Sequence, residues 1–75
     1  MDIRQELLMR TLHRFAREVG GRVRYDERVL AAALSNWQIT DMETLANLSD
    51  ADRRAISMQV LAGVTEAPAV AGSAS

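Results

Sequence analysis

Residues 39–63 read ITDMETLANLSDADRRAISMQVLAG, and this stretch decides the fold because two helix starts stand close together in it. Thr40-Asp41-Met42-Glu43 fits a capping box, with Thr40 at the N-cap and Glu43 reaching back from N3. Ser49-Asp50-Ala51-Asp52 repeats the logic, with Ser49 as cap and two acids in the first turn, where the helix dipole favours negative charge. The expected helices are a short one over 41–47 and a longer one over 50–62. Gly63 stands where a left-handed terminator belongs.

The 50–62 helix is not cleanly amphipathic. At about 100° per residue, Ala51, Ala55, Met58 and Ala62 form one apolar stripe, Ile56 and Val60 a second, and Leu61 lies off both. A helix apolar over so much of its girth is either central or shared. In so short a chain the expectation is a shared face, with Ile56, Val60 and Leu61 as self-association residues of a homodimer.

Working outward, Asp2 opens a first helix over about 3–19, stopped by Gly20-Gly21. Its core face is Leu8, Leu12, Phe15, Ala16 and Val19 at helical spacing. On the far side Ile3, Leu7, Arg10, Arg14 and Arg17 recur at steps of four and three, with His13 beside them. This second stripe is apolar at its start and basic along the rest. It reads either as solvated surface or as a partner-binding strip with a hydrophobic foot and an arginine rail. Asp26 caps a second helix over 27–35, with Val29, Leu30, Ala33 and Leu34 as its buried face and Asn36 as its C′ residue. Trp37, the only tryptophan, is expected to plug the core with its indole N–H on a carbonyl; the alternative role is an interface anchor. Residues 64–75, small and aperiodic with one proline, read as a disordered tail or linker stub.

The whole is an all-α bundle of four short helices, with residues 1–63 as its one domain. Seventy-five residues bury only a modest core, and chains of this size commonly lean on disulfides, metals or partners. Cysteine is absent, which excludes disulfides and thiolate metal sites, so a partner is the natural supplement. Net charge is −1, too small for a global attraction to nucleic acid or anionic membrane. The halves differ: residues 1–28 carry seven arginines against five acids, and residues 29–75 two against five. Every basic residue is Arg, the side chain suited to bidentate and stacked contacts, although a coding bias gives the same count. No window is apolar enough to span a membrane and the N-terminus lacks a signal-like apolar run, so a cytoplasmic setting is expected.

Catalytic chemistry finds no foothold in the sequence, and neither enzyme activity nor a cofactor is expected. His13 has no second His or Cys to share a metal. Asp50 and Asp52 diverge on a helix and serve its first turn. Ser49 and Ser57 have no neighbouring base. Gly20-Gly21-Arg22-Val23-Arg24 lacks the P-loop and dinucleotide-binding spacings and reads as a helix connection. Residues 41–62 imitate a helix-turn-helix in length, but the second helix opens with acids that repel phosphate.

Leu8-Met9-Arg10, Glu27-Arg28-Val29-Leu30 and Ser49-Asp50-Ala51-Asp52-Arg53-Arg54 resemble stretches of the Hha/YmoA family of small helical nucleoid modulators. The resemblance implies four helices, binding to H-NS-type partners, transcriptional tuning without sequence reading, and Asp52 as a partner-binding acid. Gly20-Gly21 and the Ala/Ser tail depart from the family pattern. The functional expectation is a non-enzymatic protein–protein interaction module, a cytoplasmic regulator or adaptor. The alternative is a nucleic-acid-associated transcriptional regulator.

Overall fold

A computed structural model describes the backbone of residues 3–73 and the side chains of residues 3–64. Its elements are α1 (Ile3–Gly20), α2 (Glu27–Asn36), α3 (Met42–Ala46) and α4 (Asp50–Ser73), with no strand among the described residues. The all-α, four-helix architecture is as the sequence implies. Its centre is different: α1 packs on each of the other three helices, and α2 also packs on α4. The stretch 39–63 supplies two of the elements that surround α1.

The core explains that arrangement. Leu8, Leu12, Phe15 and Ala16 of α1 meet Leu30, Ala33 and Leu34 of α2, Ile39, Leu45 of α3, and Ile56 and Val60 of α4, all buried. Each fully buried Leu or Ile contributes roughly 1.5–3 kcal/mol relative to an exposed one. Val19, expected in this set, is 40% exposed and lines an open surface with Asp50, Arg53 and Arg54 of α4.

Five helix boundaries have a local cause. Gly21 takes φ +78° and donates its N–H to the Arg17 carbonyl at 2.8 Å, the single-bond left-handed stop of α1. Asp26 caps α2 as expected, its Oδ1 accepting from the N–H groups of Arg28 (3.0 Å) and Val29 (3.4 Å). The far end of α2 differs from expectation: Gln38, not Asn36, is the C′ residue, at φ 57°. Ile39 N–H reaches the Leu34 carbonyl at 2.9 Å and Gln38 N–H reaches Ser35 at 3.0 Å, the paired bonds of a Schellman motif. Ile39 and Leu34 are both buried, which supplies the hydrophobic contact that accompanies that motif.

The start of α3 is a second correction. Asp41, not Thr40, is the N-cap: its backbone is extended and its Oδ1 accepts from Thr44 N–H at 2.7 Å. That register makes Thr44 the N3 residue and puts Glu43 one position too early for a capping box. The Thr44 N–H, and after it the Thr44 hydroxyl, hold the Asp41 carboxyl below its ordinary range. Ser49 caps α4 as expected, its Oγ accepting from Asp52 N–H at 3.1 Å.

Gly63 does not end α4, which continues to Ser73. Here glycine serves close approach: a Cβ at Gly63 would lie 2.8 Å from Val29 Cγ1, where α4 crosses α2. Val64, assigned to the tail by the sequence, is half-buried against the core. The expectation of a disordered tail otherwise falls on residues 65–75, whose side chains lie outside the described residues.

Candidate functional site

Helix periodicity places Ile3, Leu7, Arg10, Arg14 and Arg17 on one face of α1, turned away from Leu8, Leu12 and Ala16. All five are exposed, Ile3 by 71% and Leu7 by 50%. The core is complete without them. Arg10 pairs with Glu6 one turn earlier at 2.9 Å, while Arg14 and Arg17 make no ion pair among the described residues. The predicted strip is therefore present as a contiguous face, with its aliphatic end free of the bundle.

His13 gives this face an edge that sequence reasoning missed. Its Nε2 donates to the Val23 carbonyl oxygen at 2.7 Å, so that nitrogen carries a proton. Its ring meets Tyr25 edge-on, with centroids 5.1 Å apart. Val23 packs toward the core while Arg22 and Arg24 are exposed, as the alternation of an extended segment requires. The alternation was legible in the sequence; the partner that fixes it was not, because a lone histidine gives no sign of which carbonyl it will meet.

The other candidates go elsewhere. Ile56 and Val60 have no exposed surface, so they belong to the protomer's core and cannot form a self-association face. Leu61 is half-buried against Gly20, where a Cβ would lie 2.6 Å from Leu61 Cδ2. The apolar breadth of α4 is thus absorbed mostly by α1 and α2. Its remaining exposed apolar stripe is Ala51, Ala55, Met58 and Ala62. Trp37 is half-buried and packs against the core, its indole N–H donating to Gln59 Oε1 at 2.9 Å. The expected carbonyl is thus a side-chain amide of α4.

Ser57 is buried and its hydroxyl donates to the Arg53 carbonyl at 2.7 Å, a structural use. The Arg53 guanidinium lies 5.1 Å from the centre of the Phe15 ring, a cation–π contact that also closes the α1–α4 seam. Asp50 and Asp52 are exposed at the start of α4, and Asp50 stands 3.9 Å from Arg53. No group of three His, Cys, Asp or Glu residues among those described could hold a metal. An open cleft of about 350 Å³ lies between the start of α1 and the end of α2, lined by Arg4, Gln5, Leu34, Ser35, Ile39 and Thr40. It contains no nucleophile–base pair.

The helix-turn-helix likeness does not extend to geometry. A DNA-reading pair packs its first helix on its second; α3 is five residues long and packs on α1 instead. No helix among the described residues is long and apolar enough to cross a membrane. Comparison with protein-family models, curated proteins and solved structures finds no match for this chain. The likeness to the Hha/YmoA family rests on its three short stretches alone.

Proposed function

We propose that this chain is a small non-enzymatic interaction module, a regulator or adaptor, that docks a partner protein on the outer face of α1. The observation that carries the reading is the exposure of Ile3 and Leu7 in line with Arg10, Arg14 and Arg17, on a helix whose opposite face already completes the core. Aliphatic anchors beside arginine match the composition of interface cores, where Arg is enriched and Lys depleted. The face lies on the element that holds the whole bundle together, so it is presented rigidly. A nucleic-acid-associated regulator is the second reading, favoured by the same arginines. It leaves the aliphatic foot without a role, and the exposed acids at the start of α4 work against it.

The test compares the intact chain with Arg10→Glu/Arg14→Glu and with Leu7→Asp as bait in lysate of the native host. The expected result is one protein captured by the intact chain and lost from both variants at unchanged melting temperature. A nucleic-acid complex that weakens steeply with salt, with no protein captured, overturns the reading.

A further inference from the structure

We infer that the docking face does not end with α1 but continues onto the α1–α2 loop, and that the joined surface receives an acidic amphipathic helix of a partner protein. This rests on the docking reading above and extends it to a partner chemistry. On α1, His13 stands between Arg10, three residues before it, and Arg17, four residues after it, so the three side chains are neighbours on one side of the helix. The His13 ring holds Val23 by a 2.7 Å hydrogen bond and Tyr25 by an edge contact, which lays the extended segment alongside the arginine rail. Gly21 turns the chain back by its left-handed backbone, with its N–H on Arg17 itself. Arg22 and Arg24, exposed on either side of partly buried Val23, thus stand on the segment that Gly21 and His13 tie back to α1.

The sum is a basic surface with one apolar end. Five arginines, at positions 10, 14, 17, 22 and 24, face three acids: Glu6, Glu18 and Asp26. Glu6 is used by Arg10, and Asp26 stands 3.7 Å from Arg24 while capping α2. Arg14, Arg17 and Arg22 have no ion pair among the described residues. From Ile3 to Arg17 the rail runs about 21 Å at 1.5 Å per residue, four turns of helix. A partner helix of that length, with leucines at one end and a carboxylate on each later turn, matches both the foot and the rail. A single nucleic-acid strand fits less well, because Ile3 and Leu7 offer nothing to phosphate and the Tyr25 ring is already engaged by His13.

The probe is a fluorescein-labelled synthetic helix of about 15 residues, with two leucines one turn apart followed by glutamates at helical spacing. Its fluorescence anisotropy is read against the intact protein, at low and at physiological salt. Controls are the same peptide with every Glu replaced by Lys, and labelled oligo-dT. Binding of the acidic peptide is expected to weaken with salt, and the Lys peptide and oligo-dT to bind at least about tenfold less tightly. Leu7→Ser, Arg14→Ser/Arg17→Ser and Arg22→Ser/Arg24→Ser should each weaken it about tenfold or more without lowering the melting temperature. If the two α1 variants lose binding and Arg22→Ser/Arg24→Ser does not, the extension onto the loop is wrong and the α1 docking face stands. Equal binding of the Lys peptide, or oligo-dT bound in place of the peptide, overturns the acidic-helix assignment. No binding of the acidic peptide by the intact protein overturns it as well.

Discussion

Gly63 of α4 lies against Val29 of α2 so closely that a Cβ on the glycine would fall 2.8 Å from Val29 Cγ1 and 3.3 Å from Cγ2. Two effects oppose each other in Gly63→Ala. Removing a glycine from a helix interior gains about 1 kcal/mol. Overpacking costs about 1–3 kcal/mol, and a β-branched neighbour with both methyls at the contact cannot rotate clear. The overlap is expected to win, so Gly63→Ala lowers the urea midpoint. In a Val29→Ala background the sign should reverse and the same substitution should stabilise. A Gly63→Ala that stabilises the wild type would show that α4 shifts freely on α2. At Gly20 the blocking atoms are the δ-methyls of half-buried Leu61, which can swing aside, so Gly20→Ala should cost less than Gly63→Ala.

Gln38 carries the only left-handed backbone among the described non-glycine residues. That conformation costs an L residue roughly 1–2 kcal/mol. Gln38→Gly should therefore stabilise by about 1 kcal/mol, part of the relief being returned as unfolded-state entropy. In a domain of this size that raises the melting temperature by about 4–8 °C. A fall in melting temperature would mean that the Gln38 side chain, exposed here, holds a contact worth more than the strain.

These two positions show what the sequence could and could not carry. Ser49 and Asp26 were legible as caps because their cue is local: an acceptor side chain just before a helical pattern. Gly63 looked like a stop by the same logic, yet its use is tertiary, a crossing with Val29 that local pattern does not encode. The strip on α1 was legible because one helix fixes all five positions relative to each other. Ile56 and Val60 were misassigned to a surface because the volume α1 and α2 would fill around α4 is a property of three helices together. The His13–Val23 bond joins two elements and left no trace in spacing.

Gln59 Oε1 accepts from the Trp37 indole N–H at 2.9 Å and from Asn36 Nδ2 at 3.5 Å, tying the end of α2 to α4. Gln59→Leu removes the acceptor and leaves a half-buried indole donor that water partly satisfies. The expected cost is about 1 kcal/mol, with a shift in the emission of the single tryptophan. An unchanged spectrum and unchanged stability would mean that the bond does not persist in solution.

Asp41 links the start of α3 to pH. Its folded carboxyl is held below the ordinary value of 3.8, first by the Thr44 N–H, then by the Thr44 hydroxyl, with Arg4 adding a favourable charge. A group with a depressed folded pKa binds its proton more readily when unfolded. Its contribution is therefore full above the ordinary carboxylate range and is lost as pH falls through the folded value. Asp41→Asn should lower the melting temperature at neutral pH, and the gap to wild type should close on acidification. A gap constant across the acid range would show that the carboxylate charge plays no part.

Leu7 and Leu8 are adjacent in sequence and opposite in environment: Leu7 is half exposed, and Leu8 is 1% exposed within the core. Helical geometry turns consecutive side chains about 100° apart, so one substitution type can ask two questions. Leu8→Asp buries an unpaired charge and should cost several kcal/mol, enough to unfold a domain whose total stability is about 5–15 kcal/mol. Leu7→Asp should change stability by no more than about 0.5 kcal/mol, because the side chain lies outside the buried core and a carboxylate there can reach water. The same change places a carboxylate at the apolar foot of the strip, where an acidic partner would be repelled. Circular dichroism melts of the two variants, beside binding of the acidic helical peptide, separate the roles. A Leu7→Asp protein as unfolded as Leu8→Asp would mean that the foot belongs to the bundle, and the docking face on α1 would lose its anchor.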